Sequence, residues 1–539
     1  MSMLARALLL LLSPGALALC YPRPVARTSG RRALLRSSNA VAISRGLRRL
    51  MPFLAGEMFA ANAAPIPSAR DRIVNGMHQR SLGSSGILVS QLALGTQRWG
   101  STDFNAPDEA ACHQMLDIAR ANGVNFIDTA EQYPIPSDRQ HPEGLTEQII
   151  GSWLAKDKTR RKDLVIASKI TGGRNVTPRN IEADLQGTLK RLGTDYLDIY
   201  LLHWPARYTP QANWGQSLEY NYQIGASSRQ GASFEQIAGT MGKLVSDGVI
   251  RGWGMCNDNA YGLMGSIMAA RLLGVTPPCV MQNDYSLINR RIEENGVSEA
   301  SAPWNEDVGF MAYNTLAGGM LTGKYLDVPA AADDADRARA LANAKQPRGR
   351  MDELGWGRTL YRYRSGPAQE ATRAYAKLAM EAGMSLTELS LRWTRSRPAC
   401  TSVLLGTSSV NQLKQDVKFF TGMPSPNPWQ SLARLAEISR VASGALCDAI
   451  SMGTPLDTPR VRTELRAMHI GIHPWEGGTP PIPRLAHPRP LTRTDDKELP
   501  ADLLWEIDRI HMRNRLPIFA STRVGKDWYG EGEIGEPIP

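Results

Sequence analysis

The sequence predicts an α/β protein built on a (β/α)8 TIM barrel, with an N-terminal hairpin, long loops and a C-terminal insertion. Two observations lead there. Between about residues 79 and 417, eight short apolar runs alternate with amphipathic segments. These runs are continuously apolar rather than alternating, as strands of a parallel sheet are when helices cover both faces. Eight such units fit a closed barrel better than an open doubly wound sheet. An open Rossmann sheet would carry a glycine fingerprint after an early strand. The literal GxGxxG here, Gly530-Glu531-Gly532-Glu533-Ile534-Gly535, lies in an acidic tail with no strand before it and no helix after it, and reads as chance.

The elements follow in order. LeuGlySerSerGlyIleLeuValSer (82–90) reads as a small hairpin. The first barrel strand is LeuAlaLeuGly (92–95), with a helix over 108–121. The second runs over 124–127, with a helix over 146–155. The third is LeuValIleAlaSer (164–168), with a helix over 178–192. The fourth is 198–202 and its helix 234–247; the fifth is 251–255 and its helix 261–273. CysValMetGln (279–282) is the sixth, followed by a weak helix. GlyPheMetAlaTyr (309–313) is the seventh, with helices over 368–382 and 386–396. SerValLeuLeuGly (402–406) is the eighth, with a helix over 410–419. Long loops interrupt the pattern at 205–233, 326–366 and 420–498. The last is rich in Pro and Gly and weakly periodic, so residues 418–498 read as a partly disordered insertion. Residues 499–539 read as a terminal helix, amphipathic over 499–511, and a tail.

The net charge of +10 over 539 residues does not point to an acidic partner. Residues 1–70 hold ten arginines and one acid, Glu57, so +9 of that charge lies there. The barrel region is near neutral, which excludes a nucleic-acid footprint. Residues 1–70 instead read as a presequence. A basic start precedes a leucine run at 8–12, with a small-residue site at Ala16-Leu17-Ala18. An Arg/Ser-rich stretch follows, then Arg48-Arg49, an apolar run and Ala61-Asn62-Ala63. A signal followed by a transit-like region is the pattern of an algal plastid protein, and the second apolar run suggests the thylakoid lumen. The alternatives are the secretory pathway, or a disordered N-terminus with incidental alanines. No later stretch is apolar over 18 residues, so stable membrane insertion is not expected. Of six cysteines none forms a CxxC pair, and Cys256, Cys279 and Cys400 in apolar runs read as buried thiols, with neither a disulfide framework nor a metal site indicated.

In a (β/α)8 barrel the reactive groups come from the C-terminal strand ends. Asp128 ends the second strand and Tyr133 follows in its loop; Lys169 ends the third, and His203 the fourth. Singly, each has an ordinary reading: a turn or cap Asp, a solvated Lys, a hydrogen-bonded core His, a packed loop Tyr. Together they form an acid/base set. A free tyrosine ionises near ~10, and a nearby ammonium lowers that value. Asp128 would hold Lys169, Lys169 would tune Tyr133, and His203 would orient a substrate oxygen to which Tyr133 passes a proton. There is no nucleophile and no metal cluster in this set. Protonating an oxygen while its carbon is reduced suits hydride transfer from a borrowed cofactor.

These four residues, in this order, resemble those of the aldo-keto reductases. The likeness extends through LeuAlaLeuGlyThrGln (92–97), PheIleAspThrAlaGluGlnTyr (126–133), LeuLysArgLeuGlyThrAspTyrLeuAspIleTyr (189–200), GlnAsnAspTyrSerLeuIleAsnArg (282–290), LeuThrGlyLysTyr (321–325) and LeuGlyThrSerSerValAsnGlnLeuLys (405–414). The sequence is most similar to the Tas-type reductases and more distantly to the potassium channel β subunits. The resemblance implies a barrel that binds NADP(H) without a Rossmann domain and reduces an aldehyde or ketone to an alcohol. It implies that Thr96 and Gln97 touch the cofactor, that Asn257 and Gln282 hold its nicotinamide amide, and that Tyr313 stacks on the ring. Asn314, Leu316, Gly318 and Lys324 would line the pyrophosphate path. Gly406, Ser408, Gln412 and Asp416 would hold the adenosine end. Lys324 and one of Arg358, Arg362 or Arg364 would pair with the 2′-phosphate. Trp99 and Trp204 would contact a small carbonyl substrate. Three departures from the family pattern stand out: Cys256 for Ser, Asp284 for Pro, and Asp416 for Asn. The channel β subunits suggest a different class, a slow-turnover cofactor-binding regulatory subunit. A weaker third reading is an inactive scaffold around the insertion. Oligomeric state is not indicated.

Overall fold

In the computed structural model, residues 72–103, 105–210, 220–228, 231–326, 349–352, 360–421 and 499–513 are described. The presequence at 1–70, nearly all of the 418–498 insertion, the 514–539 tail and Arg358 lie outside them. All described residues belong to one compact unit.

Three short antiparallel strands come first: β1 (Arg72–Val74), β2 (Met77–Ser81) and β3 (Leu88–Ser90). Eight parallel strands then close into a barrel: β4 (Leu92–Gly95), β5 (Phe126–Asp128), β6 (Val165–Ile170), β7 (Leu197–Leu202), β8 (Ile250–Cys256), β9 (Val280–Asp284), β10 (Gly309–Tyr313) and β11 (Ser402–Leu405). β11 pairs with β4 and β9 with β10, so no edge is left open. The helices are α1 (Glu109–Ala121), α2 (Leu145–Ala155), α3 (Pro178–Leu192), α4 (Tyr222–Ser227), α5 (Phe234–Ser246), α6 (Ala260–Leu273), α7 (Arg291–Glu294), α8 (Val297–Ser301), α9 (Gly366–Glu381), α10 (Leu386–Ser396), α11 (Val410–Lys418) and α12 (Ala501–Arg513). Their starts follow local chemistry. Thr177 caps α3 before Pro178, and Ser233 with Gln236 forms a capping box on α5.

The expected hairpin is displaced. Its first strand is β2, so residues 82–87 are the turn, and β1 adds a third strand from Arg72. The second barrel strand also starts later than expected, at Phe126. Asn125 is taken up by the hairpin: its Nδ2 donates to the Leu88 carbonyl and its Oδ1 accepts from Ser90 N. The third barrel strand runs on to Ile170, which puts Lys169 inside the sheet. The weak helix after β9 is two short ones, α7 and α8. The terminal helix α12 packs on α9, and Asp508 pairs with Arg290 at 2.6 Å.

Two apolar cores follow from the barrel geometry. The larger lies between strands and helices. The smaller fills the barrel interior with Ala93, Phe126, Val165, Ala167, Ile199, Leu201, Val280 and Met311, and it includes Leu82, Ile87 and Val89 of the hairpin. The hairpin therefore plugs the N-terminal end of the barrel. Ser84 N donates to the Asp307 carbonyl at 2.8 Å. Gly83 has φ +54°, and a Cβ there would lie 2.4 Å from that same oxygen and 2.6 Å from Gly309 N. Among the described residues, this end is sealed and the open end of the barrel lies over the C-terminal ends of the strands.

Gly83→Ala combines a left-handed backbone with a backbone clash, and we expect it to cost about 2 kcal/mol or more. An unchanged denaturant midpoint would show that the plug does not bear on stability.

Candidate active site

At the open end, the residues singled out in the sequence converge. Lys169 Nζ donates to Asp128 Oδ2 at 2.7 Å and to the Thr129 carbonyl at 2.8 Å, and lies 3.5 Å from the Tyr133 hydroxyl. Asp128 is held from the far side of the barrel too: Gln282 Nε2 donates to its Oδ1 at 2.7 Å. Thr96 Oγ1 donates to the Asp128 carbonyl, joining β4 to β5. The Tyr133 and His203 rings meet edge to face at 5.6 Å, and Trp204 stacks behind His203 at 6.1 Å. Asp128, Lys169, Tyr133 and His203 are all buried.

Burial governs their protonation. It would lower the Lys169 ammonium, but the Asp128 carboxylate, with Tyr133 and Cys256, raises its pKa above the ordinary value. Burial pushes the Tyr133 phenol up to about 12, outweighing the downward pull of Lys169. The expected downward pull of Lys169 on Tyr133 is present, and burial outweighs it. Tyr133 holds its proton firmly, and the ammonium 3.5 Å away stabilises phenolate only as it forms. Burial, then Lys169, depresses His203 well below its ordinary value, so its imidazole is neutral. Its Nδ1 is buried without a hydrogen-bond partner among the described residues.

Asp128, Tyr133 and His203 line a cleft that is open at its mouth, with Lys169 buried behind them. Of the expected ligand contacts, Thr96, Gln97, Trp99, Trp204, Asn257, Gln282, Tyr313, Asn314 and Gly406 line it. Asn257 and Asn314 follow β8 and β10 in the left-handed region, with φ of 58° and 53°. Asn tolerates that region better than most residues, and such conformations gather at functional sites. The Tyr313 hydroxyl donates to Asn257 Oδ1, whose Nδ2 donates to the His203 carbonyl at 2.9 Å.

Leu316, Gly318, Lys324, Ser408, Gln412 and Asp416 are not among the lining residues. Leu316 packs against the core, Gly318 turns at φ 62° beneath Leu360, and Lys324 is exposed. Ser408 Oγ and N both donate to Gln412 Oε1. Asp416 is buried, and that burial pushes its carboxyl up to about 7. Arg364 is buried 3.7 Å from Asp352, away from the cleft. Arg362 lines the cleft but is held by Asp284 at 2.9 Å.

The match to known proteins agrees with this geometry. The model of the Aldo/keto reductase family matches residues 91–434. The chain belongs to the aldo/keto reductase family. Protein tas of Escherichia coli (strain K12) is 35% identical over 353 residues, covering 64% of this chain and 92% of that protein. An aldo-keto reductase of Babesia bovis is 31% identical over 47% of this chain and 84% of its own. A probable voltage-gated potassium channel subunit beta of Oryza sativa subsp. japonica is 28% identical over 65% of this chain and 94% of its own. As a member of this family, the protein is an oxidoreductase.

Two departures acquire a physical role in this aldo/keto reductase. Asp284 Oδ2 accepts from Arg362, from the Tyr363 hydroxyl and from Asn314 Nδ2, and so ties residues 362–363 to the rim of β9 and β10. The Cys256 thiol lies 3.4 Å from Gln282 Oε1 and accepts from Asn257 Nδ2 at 3.2 Å, bridging the two amides weakly. Sequence reasoning missed Arg98, Gln132, Ile135 and Arg350 in the cleft wall. Arg98 sits between two expected contacts, and that adjacency was the available signal. Arg350 lies in an aperiodic loop that offered none.

Lys169→Met would leave Asp128 as a buried charge without its cation. We expect a loss of about 3–5 kcal/mol in folding stability, read from denaturant unfolding. Wild-type stability in that variant would refute the pairing.

Proposed function

We propose that this protein reduces an aldehyde or ketone to an alcohol with NADPH, Tyr133 giving the proton to the carbonyl oxygen. The observation that carries this reading is the chain Asp128–Lys169–Tyr133 beside a neutral His203 at the bottom of an open cleft. The cleft suits the cofactor. Its walls hold two carboxamides, Asn257 and Asn314, on left-handed backbone, a tyrosine ring, and Gly406, where a Cβ would meet nothing within 4 Å. Asn257, Gln282 and Tyr313 would hold the nicotinamide, with Gly406 toward the adenosine end. Bound there, the reduced nicotinamide supplies hydride to the carbonyl carbon.

The residues of the chain do the rest. His203 and Tyr133 orient the carbonyl oxygen by hydrogen bonding. Charge building on that oxygen draws the proton from Tyr133, and Lys169 stabilises the phenolate left behind. Asp128 keeps Lys169 charged and aimed, and Gln282 keeps Asp128 in place. Trp99, Trp204 and Ile135 form the apolar wall beside the oxygen.

The similarity to a channel β subunit supports a second reading, a cofactor-holding regulatory subunit with slow turnover. Steady-state turnover across an aldehyde panel separates the two, since a regulatory module would show only slow single-turnover oxidation of bound NADPH. From the composition of residues 1–70 we also propose an N-terminal plastid presequence in an alga. A fluorescent fusion of that segment remaining in the cytosol would refute it.

Tyr133→Phe should lower 4-nitrobenzaldehyde reduction by about 10²-fold or more, with NADPH binding by fluorescence titration retained. Undiminished turnover would remove Tyr133 from its role. The pH profile has a definite sign. With the phenol raised to about 12, Tyr133 is protonated throughout the neutral range, and reduction is lost only as pH rises through that value. Reduction should therefore be level from about pH 6.5 to 9, while alcohol oxidation, which needs phenolate, rises with pH. A reduction rate that falls between pH 7 and 9 would contradict this assignment.

A further inference from the structure

The loop after β7 carries His203 and Trp204 into the cleft, and four residues on from His203 it carries Arg207. This arginine reaches across to the loop after β8. Its Nη1 donates to Asp258 Oδ2 at 2.9 Å and its Nη2 to Asp258 Oδ1 at 2.5 Å, a two-point fork. Nη2 also donates to Asn259 Oδ1 at 3.2 Å. The ion pair is shielded, with side-chain exposures of 14% and 4%. The guanidinium carbon lies 5.4 Å from the Phe234 ring and 5.3 Å from the Tyr261 ring, so the starts of α5 and α6 enclose it. Asp258 is itself anchored. Its carbonyl accepts from Asn283 Nδ2 at 2.8 Å, its Oδ1 accepts from Asn259 N at 2.7 Å, and Asn257 N before it donates to the Gln282 carbonyl at 3.0 Å.

We propose that Arg207 is a positioning residue: through its fork with Asp258 it fixes Trp204 in the cleft wall, and the preferred substrates are carbonyl compounds with a flat aromatic body. This rests on the carbonyl-reductase reading above. The β7 loop meets the β8 loop at two points, where Asn257 Nδ2 donates to the His203 carbonyl at 2.9 Å and where Arg207 grips Asp258. Trp204 lies between them, lining the cleft and stacked on His203. Its far side is pressed to the loop after β6, since a Cβ on Gly172 would lie 2.1 Å from the Trp204 Cβ. The Pro205 and Ala206 carbonyls accept from Gly173 N and Gly231 N, which fixes the backbone on that same far side. Arg207 is the side-chain tie back toward β8, and it does not line the cleft itself. A two-point ion pair fixes direction as well as distance, which the point charge of a lysine does not. An indole held at one angle gives an aromatic body a face to pack on; a short aliphatic aldehyde leaves that face uncovered.

The test measures kcat and KM for 4-nitrobenzaldehyde and propanal at saturating NADPH, in wild type, Arg207→Met, Arg207→Lys, Trp204→Ala, and Arg207→Met combined with Trp204→Ala. Arg207→Met should lower the aromatic-to-aliphatic ratio of kcat/KM about tenfold, chiefly by raising KM for the aromatic aldehyde. Arg207→Lys should restore part of the ratio. In the Trp204→Ala background, Arg207→Met should change it by less than about twofold, because the side chain it positions is gone. A wild-type preference for propanal overturns the proposal. So does a ratio that Arg207→Met leaves unchanged, since lost stability alone reduces the active fraction and scales both substrates alike. An equal drop in the ratio with and without Trp204 overturns it too. If Arg207→Met does not fold, Arg207→Met combined with Asp258→Asn, which removes the charge together with its partner, is read by the same criteria. If no aldehyde is reduced, the function proposed above fails on its own. Calorimetric binding of 4-nitrobenzyl alcohol with NADP+ present then decides the positioning role: about tenfold weaker binding in Arg207→Met, absent in the Trp204→Ala background, supports it, and equal binding overturns it.

Discussion

The candidate site depends on one ion pair, Lys169 with Asp128, at the floor of the barrel mouth. A lysine with no solvent exposure is costly unless its charge is matched and its protons are bonded. Asp128 and the Thr129 carbonyl meet both requirements. Matching Lys169 in turn demands that Asp128 be aimed, and Gln282 does this from a strand 154 residues later. A cross-barrel brace of this kind needs the barrel closed and in register. The fold and the chemistry are therefore coupled through a few polar atoms. The same burial that makes the pair expensive keeps His203 neutral and Tyr133 protonated, which is the state a proton donor must start from.

Around that pair the cleft has two braced walls. On the β9–β10 side, Asp284 neutralises Arg362 and draws in Tyr363 and Asn314. That makes a braced wall where the family pattern has a proline. On the β4–β5 side, Arg350 Nη2 donates to Gln97 Oε1, and Arg98 pairs with Asp103. Cys256 between Gln282 and Asn257 makes only weak bonds, so the amides depend chiefly on Asp128, the His203 carbonyl and Tyr313.

Much of the fold was legible because its information is local. Eight apolar runs announced eight buried strands, and caps such as Thr177-Pro178 marked where helices begin. Asp128, Tyr133, Lys169 and His203 were legible because the barrel forces strand ends to one rim. Long-range and quantitative features were not. The Phe126 start of β5 depends on Asn125 being claimed by the hairpin, a contact across 35 residues. Arg350 reaches Gln97 across 253 residues from a loop with no periodicity. The direction of the Tyr133 shift turns on burial depth. A lysine nearby is visible in a sequence, but the desolvation that outweighs it is not.

The plug at the bottom of the barrel bears on how the chain can be made. Its residues come early in the chain, yet their partners come late. Ser84 waits for Asp307, and Arg80 Nη1 donates to the Cys400 carbonyl, 320 residues further on. Ser402 Oγ returns to the Ser90 carbonyl across 312. Contacts of such sequence separation form slowly and only after most of the domain exists. The hairpin therefore cannot dock while the ribosome is still making the middle of the barrel. Closure of the barrel therefore waits until its last strand, β11 (Ser402–Leu405), has been made.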